Sequence, residues 1–278
     1  MIHRSLLAAA AIVSFASSVS AAPPASVRLY ALDCGRIEFN DMGMFADTGE
    51  LDGKWATLAD PCFVVVHPKG ELLWDTGLGN SFVGKGSVEA EPGVRVTVAR
   101  TLEDQLKQIG LESEDIDLVS FSHFHFDHIG NASGFTKATW LLSAAEYDAA
   151  IKNPRAEGPT PAQIQVQQNV KMERVVGDRD VFGDGTVRIL STPGHTPGHQ
   201  VLVLTLAKSG TVMLSGDLYH TLDNRRFKRV PAFNVNRADT LASIDRFERI
   251  AENTKARVIV QHSKEDFDAL PKVPAYLE

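Results

Sequence analysis

Several short apolar runs in this chain each break off into histidine or aspartate, and that pattern limits the folds open to it. "IDLVSF" leads into "SHFHFDH", "VRILS" into "TPGHTPGH", "TVML" into "SGD", and "RVIV" into "QH". Short runs rich in Val, Ile and Leu read as buried strands. Strand ends in an α/β sheet gather along one edge, which is where ligand sites form. The polar motifs, distant in sequence, are therefore expected to converge in space.

The remaining pattern is strands first, then strands alternating with helices. "SVRLYALDCG" and "CFVVVHPKGELLWDTG" read as β, the second as a hairpin turning at Pro68-Lys69-Gly70. Residues 40–60 between them read as a long loop carrying Met42, Met44, Phe45 and Trp55. "TVARTLEDQLKQIG" predicts a helix with Val98, Leu102, Leu106 and Ile109 on one face and Gly110 at its stop. "TWLLS" then "AAEYDAAI" is strand and helix, and 152–170 is a polar surface excursion. "QVLVLTL" and "TVMLSGD" pair through a turn at Lys208-Ser209-Gly210, and "DTLASIDRFERIAENT" is a helix burying Leu241, Ile244, Phe247 and Ile250.

The first residues stand apart from the fold. Arg4, an apolar run from Leu6 to Ala16, and Val19-Ser20-Ala21 match a secretory leader cleaved after Ala21 or Ala22. The run is too short to span a hydrocarbon core of ~30 Å, so residues 1–21 read as a signal peptide and residues 22–278 as a single domain. The expected location is periplasmic or secreted. A formal net charge of −7 is the wrong sign for a nucleic-acid footprint, and Arg225, Arg226, Lys228 and Arg229 read as a solvated loop. In an exported chain Cys34 and Cys62 could pair; two buried free thiols is the equal alternative.

Imidazole and carboxylate are ligands for zinc and similar divalent ions. In H-x-H-x-D-H, His123, His125 and Asp127 alternate to one side if extended while His128 turns to the other, so one loop could serve two neighbouring ions. Of nine histidines, His3 leaves with the leader and His67 reads as structural; the other seven all lie in strand-end motifs. The turn residues of "HTPGH" could hold one of His195 and His199 at an ion. Asp217 could bridge two ions through its two oxygens, and His262 completes the count. Taken singly, Asp217 would read as a turn cap and His262 as a surface histidine.

"SHFHFDHIGN", "STPGHTPGH", "SGD", "QH" and the earlier "WDTG" at Trp74–Gly77 resemble the metallo-β-lactamase superfamily in order and separation across nearly the whole mature chain. The resemblance implies an α/β four-layer αββα sandwich. It places His123, His125 and His195 on one ion, Asp127, His128 and His262 on the other, and Asp217 between them. His199 would not be a ligand, and Asp75 would support the site through hydrogen bonds. Within the superfamily the chain is most similar to the N-acyl homoserine lactonase (quorum-quenching) group, where the 40–60 loop would wall an acyl-chain pocket. It departs from that group in carrying an export signal. It also departs in "GDLYH", which puts His220 where a tyrosine is usual and Tyr219 one position earlier.

The implied activity is hydrolysis of a lactone by a hydroxide held between two ions, most readily zinc. The lactone carbonyl would be oriented by His220 or Tyr219, and the leaving alkoxide protonated through Asp127. Other substrates open to such a site are a β-lactam, an aryl ester or phosphotriester, and a thioester; a metal-binding protein without turnover is the alternative of another class. The expected partner is a small-molecule lactone, with no nucleic acid and no membrane span after cleavage, and a homodimer is left open.

Overall fold

A computed structural model describes residues 26–152 and 169–278. The leader, and the 152–170 excursion apart from its ends, lie outside these residues. β1 (Arg28–Phe39), β2 (Ala56–His67) and β3 (Gly70–Trp74) form an antiparallel meander. β4 (Val88–Glu91) and β5 (Val94–Thr97) extend the sheet beyond β1. On the other side β6 (Leu118–Ser120), β7 (Thr139–Ser143) and β8 (Lys171–Val175) continue it in parallel from β3. A second sheet contains β9 (Arg179–Asp180), β10 (Val187–Ser191), β11 (Gln200–Leu206), β12 (Gly210–Leu214) and β13 (Arg257–Ile259), all antiparallel except the β12–β13 pair.

Period-two alternation decides which side chains fill which layer. In β11, Leu202, Leu204 and Leu206 point into a cluster shared with Leu29, Phe63, Leu72 and Trp74 of the first sheet, so the two sheets pack face to face. Val201 and Val203 point the other way, onto Ile244, Phe247 and Ala251. These last belong to the long helix Arg237–Thr254. The outer face of the first sheet, with Leu32, Val64 and Leu73, is covered by Leu102, Leu106 and Phe135. The result is the expected αββα order, and it explains why the central strands read as unbroken apolar runs: both of their faces are covered. Burying each of the larger side chains contributes about 1.5–3 kcal/mol.

Among the described residues the helices are, in chain order, α1 (Leu102–Gln108), α2 (Phe126–Ile129), α3 (Ala144–Lys152), α4 (Leu222–Phe227), α5 (Arg237–Thr254) and α6 (Lys264–Asp268). The α1 helix starts later than its apolar spacing implies, because the Thr101 side chain accepts from Asp104 N–H and caps it there. Val98 instead pairs with Val83 in an isolated bridge. The 40–60 loop is shorter than expected, since β2 already begins at Ala56 and Gly43–Phe45 forms a 3₁₀ turn. The basic cluster is only half loop: Arg225 and Arg226 lie in the last turn of α4, Lys228 and Arg229 follow it, and Arg225 makes a bidentate pair with Glu248 at 2.9 and 3.0 Å. Cys34 and Cys62 are joined in a disulfide across β1 and β2, with Cα atoms 5.7 Å apart. No helix among the described residues is long and apolar enough to cross a membrane.

Candidate metal centre

The strand ends meet as expected. β6 runs out at Ser120 into the residues that lead to α2, whose N-cap is His125 and whose single turn carries Asp127 and His128. β10 ends in the 192–199 turn, β12 in a 3₁₀ turn at Gly216–Leu218 holding Asp217, and β13 runs on to Gln261 and His262. Gly216 adopts φ 49°, and a Cβ there would lie 2.8 Å from His199 Nε2 and 2.9 Å from Ser122 Cβ. Only glycine lets β12 end this close to its neighbours.

Two groups of ligand atoms result: His123, His125, His195 and Asp217, and beside them Asp127, His128 and His262. In the first, His195 Nε2 lies 3.2 Å from both His123 Nε2 and His125 Nδ1. In the second, His262 Nε2 and His128 Nε2 are 3.3 Å apart, each 3.7 Å from an oxygen of Asp127. Asp217 faces both. Its Oδ2 is 3.6 and 3.5 Å from His123 and His195 Nε2, and its Oδ1 is 3.2 and 2.9 Å from His128 and His262 Nε2.

The outward nitrogens show what the inward ones carry. His128 Nδ1–H donates to Asp75 Oδ2 (3.0 Å), His262 Nδ1–H to the Ala59 carbonyl (2.7 Å), and His195 Nδ1–H to Asn234 Oδ1 (2.9 Å). In neutral rings so arranged, each Nε2 presents a lone pair inward. Asp217 Oδ1, buried and 2.9 Å from His262 Nε2, has no aligned hydrogen bond. Closely facing lone pairs beside an unpaired carboxylate oxygen repel one another unless a cation lies among them, so the donor set fits divalent ions.

Electrostatics separate the two groups. Burial, followed by neighbouring imidazoles, pushes His123 and His195 well below the usual histidine range, and burial takes His125 to about 4. Burial opposes charge in the second group too, but Asp217 and Asp127 raise His262 to about 9 and, with Asp75, raise His128 as well. The second group draws positive charge, a demand that a metal ion meets as a proton would.

Asp75, at φ 57°, accepts from Ser122 N–H (2.6 Å), His128 and Gln261 Nε2 (2.5 Å), as its expected supporting role requires. Several supporting residues have no motif to announce them. Buried Glu146 of α3 accepts from Phe124 N–H (3.1 Å) and Gly198 N–H (2.9 Å), tying the histidine loop to the 192–199 turn. Asn234 holds His195 from a loop before α5, and Asn131 donates to the Thr76 carbonyl. Buried Asp60 accepts from Leu78 N–H.

Of the two candidates for orienting a substrate, Tyr219 is turned away. Its hydroxyl donates to Glu248 (2.8 Å) and its ring packs against Phe247 of α5, because the 3₁₀ turn at Gly216–Leu218 delivers both Leu218 and Tyr219 into the helix-facing layer. His220 faces the centre, its Nε2 3.1 Å from Asp217 Oδ2. His199 is not placed as a ligand: Nδ1 donates to the Thr192 carbonyl and Nε2 accepts from Asp217 N–H. His67, stacked on Phe182 at 4.0 Å, is remote from the cluster and structural. Met42 and Phe45 are buried beside Leu58, whereas Met44 is exposed. A cavity of about 760 Å³ reaches His262 between Met42, Leu51, Trp55 and Leu222.

An αββα sandwich with two imidazole–carboxylate groups at one edge defines a class, the metal-dependent hydrolases. The chain belongs to the metallo-beta-lactamase superfamily, which it matches over residues 58–262. It is 28% identical to the N-acyl homoserine lactonase AttM of Azorhizobium caulinodans over 262 residues, covering 91% of this chain and 99% of that one. It is 30% identical to an N-acyl homoserine lactonase of a Bacillus species over 258 residues, covering 90% and 98%. A solved N-acyl homoserine lactone hydrolase, with its product N-hexanoyl-L-homoserine bound at the catalytic metal center, superposes with a TM-score of 0.78 at 27% identity, covering 90% of this chain and 98% of that one.

Proposed function

We propose that this protein opens the lactone ring of N-acyl homoserine lactones using two zinc ions. His123, His125 and His195 would hold one ion, Asp127, His128 and His262 the other, and Asp217 would span both. The observation that carries the reading is the pair of ligand groups sharing Asp217, in a chain aligned along about nine-tenths of its length with lactonases. The mixed imidazole and carboxylate donors suit zinc, and the same donors would accept manganese, iron or cobalt.

When bound, such ions supply hydroxide near neutral pH and polarise the ester carbonyl. The chain's own contribution is preorganisation. Ser122, Asn234, Asp75 and the Ala59 carbonyl fix the ring orientations. Asp127, 3.7 Å from both His128 and His262, would hold the proton that the departing alkoxide needs. The cavity beside His262 offers apolar walls to an acyl chain. The reading includes export, supported by the leader pattern and by a Cys34–Cys62 bridge suited to an oxidising compartment.

The test is proton release in weakly buffered N-acyl homoserine lactone on adding zinc-loaded mature protein, since ring opening yields a carboxylic acid. Release is expected, and it should vanish in the His123→Ala, Asp217→Ala double variant. Silence across short and long acyl chains, with two ions bound, would reject the lactonase reading.

A further inference from the structure

The "QH" pair that follows β13 supplies a ligand in His262, and its glutamine is as deeply buried as the histidine. Ser215 Oγ accepts from the backbone N–H of Gln261 at 3.1 Å and fixes the main chain there. The side chain then crosses from the second sheet to the first, where Nε2 donates to Asp75 Oδ2 at 2.5 Å. The amide has to lie this way round, because its carbonyl would repel a carboxylate. Its Oε1 is left buried with no hydrogen-bond partner among the described residues. A buried acceptor without a partner destabilises the fold, so the site keeps the donor on Asp75 even though the other half of the amide goes unsatisfied.

That donor is the third on a single carboxylate. Ser122 N–H occupies Asp75 Oδ1 (2.6 Å), while His128 Nδ1 (3.0 Å) and Gln261 Nε2 both meet Oδ2. A ring nitrogen this close to a carboxylate carries hydrogen whether the ring is neutral or charged, so the competition at Oδ2 does not depend on the state of His128. A carboxylate behind a ligating imidazole raises the basicity of that ligand and tightens the metal. Each further donor on the same oxygen draws away part of the charge that does so. We propose that Gln261 is a positioning residue that moderates the pull of Asp75 on His128, and so holds the second-group ion less tightly than Asp75 alone would. The inference rests on the two-ion reading of the site and not on the identity of the substrate.

Gln261→Met keeps an unbranched chain of similar length and removes the donor together with the unpaired carbonyl. In competition with a coloured chelator, the second-group zinc should bind roughly tenfold more tightly in this variant, with the first-group zinc unchanged. An amide that only braced the two sheets would give the opposite sign, a looser ion. In the Asp75→Asn background the same substitution should change neither affinity, because the charge that Gln261 moderates is gone. The wild-type protein offers a readout that needs no variant. As zinc fills the second group, His128 takes a larger share of Asp75 Oδ2, so the Gln261 side-chain amide proton should move upfield in NMR. An unchanged or looser second ion in Gln261→Met, a full effect in the Asp75→Asn background, or an amide proton that stays in place or moves downfield would overturn the inference. A wild-type protein that binds no ion in the second group would overturn the two-ion reading itself.

Discussion

The two ligand groups share Asp217 yet are built from different chemistry. The first is three imidazoles, and the outward nitrogens of His123 and His195 meet a hydroxyl and an amide, both neutral. The second has a carboxylate among its own ligands and a second carboxylate, Asp75, behind His128. Burial lowers the first group's imidazoles, while the carboxylates overcome burial and raise those of the second. Negative charge kept out of water is costly unless a positive partner compensates it. The second group is thus the stronger cation trap, and the ion at the first should exchange sooner under a chelator.

Removing the shared residue should have the largest effect. Asp217→Ala takes a buried charge from both groups at once, and breaking a buried ion pair costs about 3–5 kcal/mol. Ion binding should weaken roughly 10²–10³-fold at both positions, measured by titration calorimetry on metal-free protein. If one position kept its affinity, Asp217 would not be shared and the two-oxygen geometry would have been misread.

Loss of the disulfide should come next. Gly77, at φ 66°, lies so close that a Cβ there would sit 2.3 Å from Cys34 Cβ, which places the bridge directly under the loop that carries Asp75. With a sequence separation of 28 residues, the chain-entropy relation gives roughly 3.5 kcal/mol of stability. The Cys34→Ala, Cys62→Ala variant should lose that amount in denaturant unfolding, and under dialysis its second-group ion should become more labile than its first. Equal loosening of both would mean that the bridge supports the sheet and not the Asp75 loop.

Much of this arrangement was legible before any coordinates. Strand-end placement of the motifs and the apolar alternation led to the αββα order, and H-x-H-x-D-H with Asp217 and His262 named the ligand atoms that do converge. Residues whose role depends on a distant partner carried no local signal. Glu146 reads as an ordinary helix glutamate until the fold brings Phe124 and Gly198 to it. The two short strands beyond β1 are exposed along much of their length and lack an apolar run. Tyr219 and His220 are adjacent, so only the backbone after Asp217 decides which faces the centre. The Cys34–Cys62 pairing needed the β1–β2 register.

Smaller effects separate the two groups more finely. Asp75→Asn keeps the side-chain shape but removes the charge behind His128. Partners of this kind typically change metal affinity 10–100-fold, and the loss should fall on the second-group ion alone. Competition with a coloured chelator would resolve the two release steps. A shift in the first step instead would show that Asp75 acts through the histidine loop it anchors at Ser122.

The weakest perturbation tests the other half of the contrast. Asn234 accepts from His195 Nδ1–H and donates to Thr240 Oγ1 at the start of α5, so it fixes the ring from a neutral group. A neutral hydrogen bond contributes only about 0.5–1.5 kcal/mol. Asn234→Ala should therefore loosen the first-group ion by roughly threefold to tenfold, less than Asp75→Asn loosens the second, while leaving the second-group ion unchanged. Asn234→Asp would put a carboxylate where the second group has one, and should tighten the first-group ion toward the affinity of its neighbour. If the aspartate variant bound that ion no better than wild type, charge behind the ligand would not be what distinguishes the two positions. The difference would then lie in the carboxylate that coordinates directly, Asp127.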